Sequence, residues 1–297
     1  MNNLMKVVLT VLCRDEEDII DSFCKFHLNK GVDHIVATDN GSVDKTRSIL
    51  KKYAQKGLLT LIDEPKHNHD QAIWVSRMAK LSTTRLKADW IIHSDADEFW
   101  YPKTRSLKTA LGEIKQSINA LKVKRTNFLP PSHQSDPTQP FWQSMQIREH
   151  ASLNSLGNPL PPKICHRTIE DAFIEDGNHQ LSSVSTRISY SDTKNIEILH
   201  FPIRNYWQLE RKIRQGTKAL ECNSRIQKNI GETWRHLYWK YLKTYSLFEY
   251  YCNLRPDEIG LQQKIAENIL VKDKRIQQHF SNNIPRPAKQ LLQFVSQ

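Results

Sequence analysis

The sequence predicts an α/β protein: a mostly parallel, twisted sheet flanked by helices, with a helical extension at the C-terminal end. Three observations carry that expectation. Short β-branched and aliphatic runs alternate with helical-period segments through the first hundred residues, the pattern of strand–helix–strand units. The first run, residues 6–13 (KVVLTVLC), is apolar almost throughout, as a strand buried on both faces of a parallel sheet must be. Acidic or amide-bearing turns end three of the strand segments, at the carboxyl ends where open α/β sheets bind ligands.

The elements follow in order. Asp15, Glu16, Glu17 and Asp18 come directly after the first strand. Acids there favour the first turn of a helix, against the positive end of its dipole. Ile19, Ile20, Phe23, Phe26 and His27 keep helical spacing, and Gly31 is placed to stop the helix. Residues 34–38 (HIVAT) form the second strand, ending at Asp39-Asn40-Gly41-Ser42, where Ser42 caps a helix over 43–53. Residues 58–62 are the third strand. Residues 70–86 read as a helix with Ile73, Val75, Met78, Ala79 and Leu81 inward. Residues 90–94 are the fourth strand, running into Ser94-Asp95-Ala96-Asp97-Glu98-Phe99.

Beyond it, 106–116 reads as a helix and 120–128 as a strand. Residues 130–162, rich in Pro, Ser, Asn and Gln, form a loop long enough to be functional. Strand-like pieces follow at 164–168, 186–190 and 196–200. After Pro202 the character changes to helices over 206–229 and 232–251 and a basic tail. The expected division is a sheet domain over 1–205 and a basic helical extension over 206–297. Trp234, Leu237, Tyr238, Tyr241, Leu242 and Tyr245 keep helical spacing, which favours packing over nucleic-acid stacking.

The chain has 297 residues and a formal net charge of +11, which calls for an anionic partner such as a phosphorylated substrate, an acidic membrane surface or nucleic acid. Its five cysteines, Cys13, Cys24, Cys165, Cys222 and Cys252, are scattered without a C-x-x-C pair, against a disulfide framework or a structural zinc site. No apolar run reaches the roughly 20 residues of a membrane span, and no signal peptide opens the chain. A cytoplasmic protein is expected, with Arg235, Lys240 and Lys243 able to rest on the anionic inner face of the membrane.

Asp95 and Asp97 are one residue apart at a strand end. Alternation of strand side chains directs both to one face. Two adjacent carboxylates repel unless a cation sits between them, and a divalent metal holding a phosphate is the usual solution. An exposed turn with two solubilising acids is the plain alternative.

Taken in order, Cys13-Arg14-Asp15-Glu16-Glu17, then Thr38-Asp39-Asn40-Gly41-Ser42-Val43-Asp44-Lys45-Thr46, then Ser94-Asp95-Ala96-Asp97-Glu98-Phe99 resemble the family 2-like glycosyltransferases with a GT-A fold. His200-Phe201-Pro202-Ile203-Arg204, followed by Lys212 and Gly216, resembles the branch of that family with a His-Phe-Pro-x-Arg element; the likeness covers about residues 5–216. The resemblance implies a metal-dependent transfer of sugar from a nucleotide-diphosphate-sugar donor, a UDP-sugar first among them, to a hydroxyl of a glycan or lipid-linked acceptor in surface polysaccharide or glycan synthesis, with inversion. Arg14, Glu16, Asp39 and Asn40 would hold the nucleotide. Asp95 and Asp97 would hold Mn²⁺ or Mg²⁺ against the diphosphate, with His200 as a further ligand and His179 as second choice. Asp176, with Glu175 beside it, would take the acceptor proton. Lys163, Arg167 and Arg204 are candidates to reach phosphates. His67, His69 and Asp70 suggest a donor-pocket cluster or a solvated loop. This chain reads Asp39-Asn40-Gly41-Ser42 where the family turn is Asn-Asp-Gly-Ser, which shifts the base contact by one residue. The rival readings are a sugar nucleotidyltransferase, disfavoured by a first loop that is acidic and lacks glycine, and a basic nucleic-acid-binding protein, disfavoured by the acidic strand ends.

Overall fold

The computed structural model describes residues 5–65, 70–136, 138–221 and 231–282. His67 and His69 lie outside the described residues. The chain begins with β1 (Val7–Cys13), α1 (Ile20–Asn29), β2 (His34–Asp39), α2 (Thr46–Gln55), β3 (Leu59–Asp63), α3 (Gln71–Thr84) and β4 (Trp90–Asp95). These strands run parallel in the order β4-β1-β2-β3. The sheet is covered on both faces, which explains the unbroken apolar pattern of β1. Val7, Leu9 and Val11 pack with Phe23 and Phe26 of α1, whereas Val8, between them, packs with Val75, Met78 and Ala79 of α3. Helix α1 stops where expected, at Gly31 with φ of +101°.

Several boundaries move. α2 begins at Thr46, three residues later than expected, because Ser42 donates to Asp39 instead of capping a helix. Asp44 accepts from the Thr46 amide at 2.8 Å. In α3, Trp74 takes the inward place expected of Ile73, which is exposed.

After β4 the chain reverses through Ala96 and Asp97 into β5 (Glu98–Pro102), a strand the sequence reading lacked. Then come α4 (Leu107–Gly112), β6 (Ala120–Val123), β7 (Arg125–Asn127), α5 (Phe141–Ser144), β8 (Ile147–Glu149), β9 (Lys163–Arg167), β10 (Phe173–Ile174), β11 (Leu181–Ser182), β12 (Tyr190–Asp192) and β13 (Ile196–His200). The main sheet reads β12-β6-β9-β4-β1-β2-β3. β9 is antiparallel to both its neighbours, β4 and β6. The single strand expected over 120–128 is two: β6 joins the main sheet and β7 joins a second sheet, β5-β13-β7. Register in that sheet sets His200 beside Glu98 on one side and Asn127 on the other.

The last segment holds α6 (Tyr206–Glu221), α7 (Glu232–Leu237), α8 (Leu247–Asn253), α9 (Glu258–Ala266), β14 (Leu270–Lys272) and α10 (Arg275–Asn282). The helix expected over 232–251 breaks after a π-type turn at Tyr238–Leu242, and Tyr245 takes a φ of +59°. Leu209, Ile213, Leu237, Leu242, Leu247 and Tyr251 form a cluster of their own, so the aromatic stripe packs as expected except at exposed Tyr245. β14 pairs with β8, and Ile276 of α10 enters the main core. No helix among the described residues is long and apolar enough to cross a membrane.

A polar relay lies inside the main sheet. His166 Nδ1 lies 2.6 Å from the Arg167 carbonyl, and its Nε2 lies 3.0 Å from His93 Nε2. His93 Nδ1 lies 2.7 Å from Thr10 Oγ1. The carbonyl can only accept, so the protons run one way: His166 Nδ1–H to the carbonyl, His93 Nε2–H to His166, Thr10 O–H to His93. Both rings are neutral. Burial holds the His166 pKa down at about 4, and burial together with His166 holds that of His93 well below its ordinary value.

Two predictions follow from this packing. A Cβ at Gly216 of α6 would overlap the Trp234 ring; Gly216→Ala should lower stability by about 1–3 kcal/mol in urea unfolding. The relay histidines take up protons more readily unfolded than folded. The stabilising contribution of His166 is therefore complete above the unfolded pKa of about 6.5 and is lost as pH falls through about 4, and that of His93 runs in the same direction. The melting temperature should drop over that window, and His166→Gln should flatten part of the slope.

Candidate active site

The site is built where β1, β2 and β4 end. After Cys13 the chain turns sharply: buried Asp15 sits at φ of +54°. Its Oδ1 accepts from the Val43 amide at 2.7 Å, and its own amide donates to Ser42 Oγ at 3.0 Å. Arg14 Nη1 donates to the Asn40 carbonyl at 2.6 Å. Asn40 Nδ2 donates to the Glu64 carbonyl at 3.0 Å. Asp39 Oδ1 accepts from Ser42 Oγ at 2.5 Å, and burial raises its carboxyl pKa. The first two strand-end turns are thus laced into one unit carrying Arg14, Asp39 and Asn40.

Glu16 belongs elsewhere. Its carboxylate meets Arg204 Nη2, and Arg204 Nε donates to Asp18 at 2.6 Å. Arg204 Nη1 donates to the Phe201 carbonyl at 3.2 Å and lies 4.0 Å from Asp97. This buried guanidinium therefore connects the acidic turn after β1 with the second Asp of the Asp95-Ala96-Asp97 turn.

Asp95 and Asp97 do not share partners. Because the strand ends at Asp95 and reverses, simple alternation no longer applies. Asp95 Oδ2 lies 2.5 Å from Lys163 Nζ, and its Oδ1 accepts from Asn178 Nδ2 at 3.3 Å. Buried Asp97 has its Oδ2 2.6 Å from Lys212 Nζ and its Oδ1 3.5 Å from His200 Nε2. Burial opposes ionisation of both carboxyls. Lys163 overcomes it at Asp95, and Lys212, His200 and Arg204 overcome it at Asp97, so both pKa values are lowered, that of Asp97 strongly.

His200 is held in a defined orientation. Its Nδ1 donates to Asn127 Oδ1 at 2.7 Å, while Asn127 Nδ2 donates to the Leu153 carbonyl at 3.3 Å. Nε2 then faces the Asp97 carboxylate, with Oδ1 3.5 Å away. An imidazole nitrogen and a carboxylate oxygen set side by side are ligand types that divalent cations take. Among the described residues no three His, Cys, Asp or Glu side chains converge as a metal cage. Mg²⁺-type sites, however, often use one or two protein ligands, the remainder being substrate phosphate and water. The donor set at Asp97 and His200 fits such an ion.

The other candidates are placed as follows. Asp176 is half-buried, and its Oδ1 accepts from the Ala72 amide at 3.1 Å at the start of α3. Glu175 is exposed. Two residues beyond Asp176, Asn178 touches Asp95, so this turn borders the site. His179 Nδ1 donates to the Pro162 carbonyl at 2.8 Å; burial, with Lys163 nearby, holds its pKa down at about 4. Arg167 sits at the far end of the sheet, opposite Trp90, and donates to the Ile114 and Ile118 carbonyls. It is too far along the strand to serve phosphates at Asp95, because an antiparallel β9 brings its first residue, Lys163, to that end instead.

Sequence reasoning quoted Lys212 within the His-Phe-Pro-x-Arg likeness without giving it a role, and it missed Asn127. A signal for Lys212 existed: Arg211, Lys212 and Gln215 lie within one helical turn. Arg211 Nη2 donates to the Asp15 carbonyl at 2.7 Å and Gln215 Nε2 to Asp15 Oδ2 at 2.7 Å, so α6 lays this polar face on the acidic turn. Nothing local marks Asn127, which the β7–β13 register brings to His200.

Among solved structures the chain is similar to S. aureus TarS 1-349 in complex with UDP-GlcNAc, at 17% identity and a TM-score of 0.44 over 78% of this chain and 73% of that one. It is also similar to the mannosyltransferase PcManGT from Pyrobaculum calidifontis in complex with GDP-Man and Mn²⁺, at 14% identity and a TM-score of 0.44 over 82% and 72%. No curated protein sequence matches the chain. The family model of glycosyltransferase family 92 matches residues 14–201, from the acidic turn after β1 to just beyond His200. That match spans well over half of the 297 residues, and the chain accordingly belongs to glycosyltransferase family 92.

Proposed function

We propose that this glycosyltransferase is metal-dependent and moves a sugar from a nucleotide-diphosphate-sugar donor to a hydroxyl of a glycan or lipid-linked acceptor, in surface polysaccharide or glycan synthesis. The observation that carries the reading is the convergence of Asp97 Oδ1 and His200 Nε2, 3.5 Å apart with the imidazole oriented by Asn127. Asp97 and His200 would hold Mn²⁺ or Mg²⁺, with Asp95 beside them at the same strand end. Bound there, the ion would neutralise charge developing on the departing diphosphate. Asp39, Asn40 and Arg14, at the ends of β1 and β2, are assigned to the nucleotide, a UDP-sugar first. Glu16 acts through Arg204, which it helps to hold in place.

The reaction class we assign is single displacement with inversion. The acceptor oxygen attacks the anomeric carbon, the bond to the diphosphate oxygen breaks with its electron pair on that oxygen, and the acceptor proton passes to a carboxylate. Asp176 is the proposed base and Glu175 its neighbour in that turn. We assign the enzyme to the cytoplasmic side of the membrane. Exposed Trp239, with Lys243 placed over its ring at 5.8 Å and Lys240 beside it, is the proposed surface for anionic lipid.

Three outcomes test the reading. UDP or GDP with Mn²⁺ should stabilise the protein by about 2.7 kcal/mol at a hundredfold excess over Kd. EDTA, or an Asp97→Asn variant, should abolish that shift in a thermal melt, and a shift indifferent to both would sink the metal assignment. Asn127→Ala should weaken metal affinity by about 10–100-fold, as loss of an orienting partner does, with the apo protein still folded by circular dichroism. Asp176→Asn keeps an acceptor for the Ala72 amide. It should lower kcat by about 10²–10⁴-fold with KM little changed, and an undiminished kcat would assign the base elsewhere.

A further inference from the structure

The two lysines of the site differ in exposure and in the number of carboxylates they meet. Lys163 is 1% exposed along its side chain, and its ammonium sits between two carboxylates, 2.5 Å from Asp95 and 3.3 Å from Glu98. It projects from β9, in the interior of the main sheet. It is a fixed strut. Lys212 is 30% exposed and, among the described residues, pairs within 4 Å with Asp97 alone, at 2.6 Å. Its helix is anchored independently, through Arg211 and Gln215 to Asp15, so the lysine stem can move without α6 moving.

We propose that Lys212 is an exchangeable cation: in the donor-free enzyme its ammonium stands on the Asp97 carboxylate that the divalent ion takes in the donor complex, and the displaced ammonium transfers to the donor's diphosphate. The inference rests on the metal assignment at Asp97 and His200 made above. A buried carboxylate without a counter-charge is costly, and Lys212 supplies that charge when no ion is bound. An ion at Asp97 makes the ammonium a like-charged neighbour, and the two repel across a few ångströms. A diphosphate arriving with the ion brings negative charge to the same corner, and a four-carbon stem lets the ammonium follow it. The exchange keeps every charge of the site partnered in both states. Arg204 cannot make this move, because two carboxylates and the Phe201 carbonyl hold it.

The exchange predicts opposite changes in two affinities. Mn²⁺ binding to donor-free protein is measured from the electron paramagnetic resonance of the free ion. UDP and GDP binding at saturating Mn²⁺ is measured by calorimetry. Wild type, Lys212→Met and Lys212→Gln are compared, the last retaining a hydrogen bond to Asp97 without the charge and standing in should the methionine variant not fold. Loss of the charge should tighten Mn²⁺ about tenfold and weaken the nucleoside diphosphate about tenfold, on the scale of one charge-assisted contact. A lysine that only braces the fold would leave Mn²⁺ affinity unchanged or weaker, and that result overturns the exchange while leaving the metal assignment standing. Diphosphate binding by wild type that is equal in Mn²⁺ and in EDTA overturns the metal assignment itself and the exchange with it.

Discussion

The site depends on one buried guanidinium. Arg204 lies just beyond β13, yet its side chain reaches Glu16 and Asp18 in the turn that follows β1, nearly two hundred residues earlier. Burying an arginine is unfavourable unless its donors are matched, and the planar fork of Arg suits two carboxylates and a carbonyl. Burial works against its charge, but Glu16, Asp18 and Asp97 raise its pKa far above the ordinary value. With Arg204 fixed, the start of α6 is fixed. With α6 fixed, Arg211 and Gln215 reach Asp15, and Lys212 reaches Asp97. The second sheet is held at the same place, because the Phe201 amide donates to the Asp97 carbonyl at 2.8 Å.

The protein is strongly basic overall, yet its cleft is a mosaic in which several carboxylates meet cations. Asp95 has Lys163, Asp97 has Lys212, Glu98 has Arg125 at 3.1 Å, and Asp39 has Arg47 at 3.9 Å. A ligand entering such a mosaic gains by replacing partners, not by filling a charge deficit. A phosphate group entering it would bind with a net affinity set by the difference between two sets of ion pairs.

Much of the fold was legible because it is local. β1 announced itself by an apolar run with no polar interruption, Gly31 by its place after a helical stripe, and Asp95-Ala96-Asp97 by its position at a strand end. The features that escaped reading are set by pairing across the chain. β5 follows the Asp95-Ala96-Asp97 turn so closely that its five residues look like the turn's continuation. The antiparallel course of β9 decides that Lys163, not Arg167, stands at the site, and no local pattern shows strand direction. The helix expected at 232–251 has the right apolar spacing, but the chain folds back after residue 242 so that Leu247 and Tyr251 can close the cluster around Leu209 and Ile213.

The long loop between β7 and β9 owes its shape to the far end of the chain. β14 adds itself to β8 within that loop, Asp273 binds Arg148 at 2.8 Å across 125 residues, and Phe280 stacks on Trp142 with ring centres 5.5 Å apart. Contacts of such sequence separation form late, since a long loop must close before they yield anything. During synthesis the parallel sheet can assemble as it emerges, whereas this wall beside the cleft must wait until residue 280 has left the ribosome. A nascent chain would thus leave β8 and Trp142 without their partners for several seconds at ordinary elongation rates of about 5–20 residues per second. That interval is the window in which misassembly or a chaperone would have access to them.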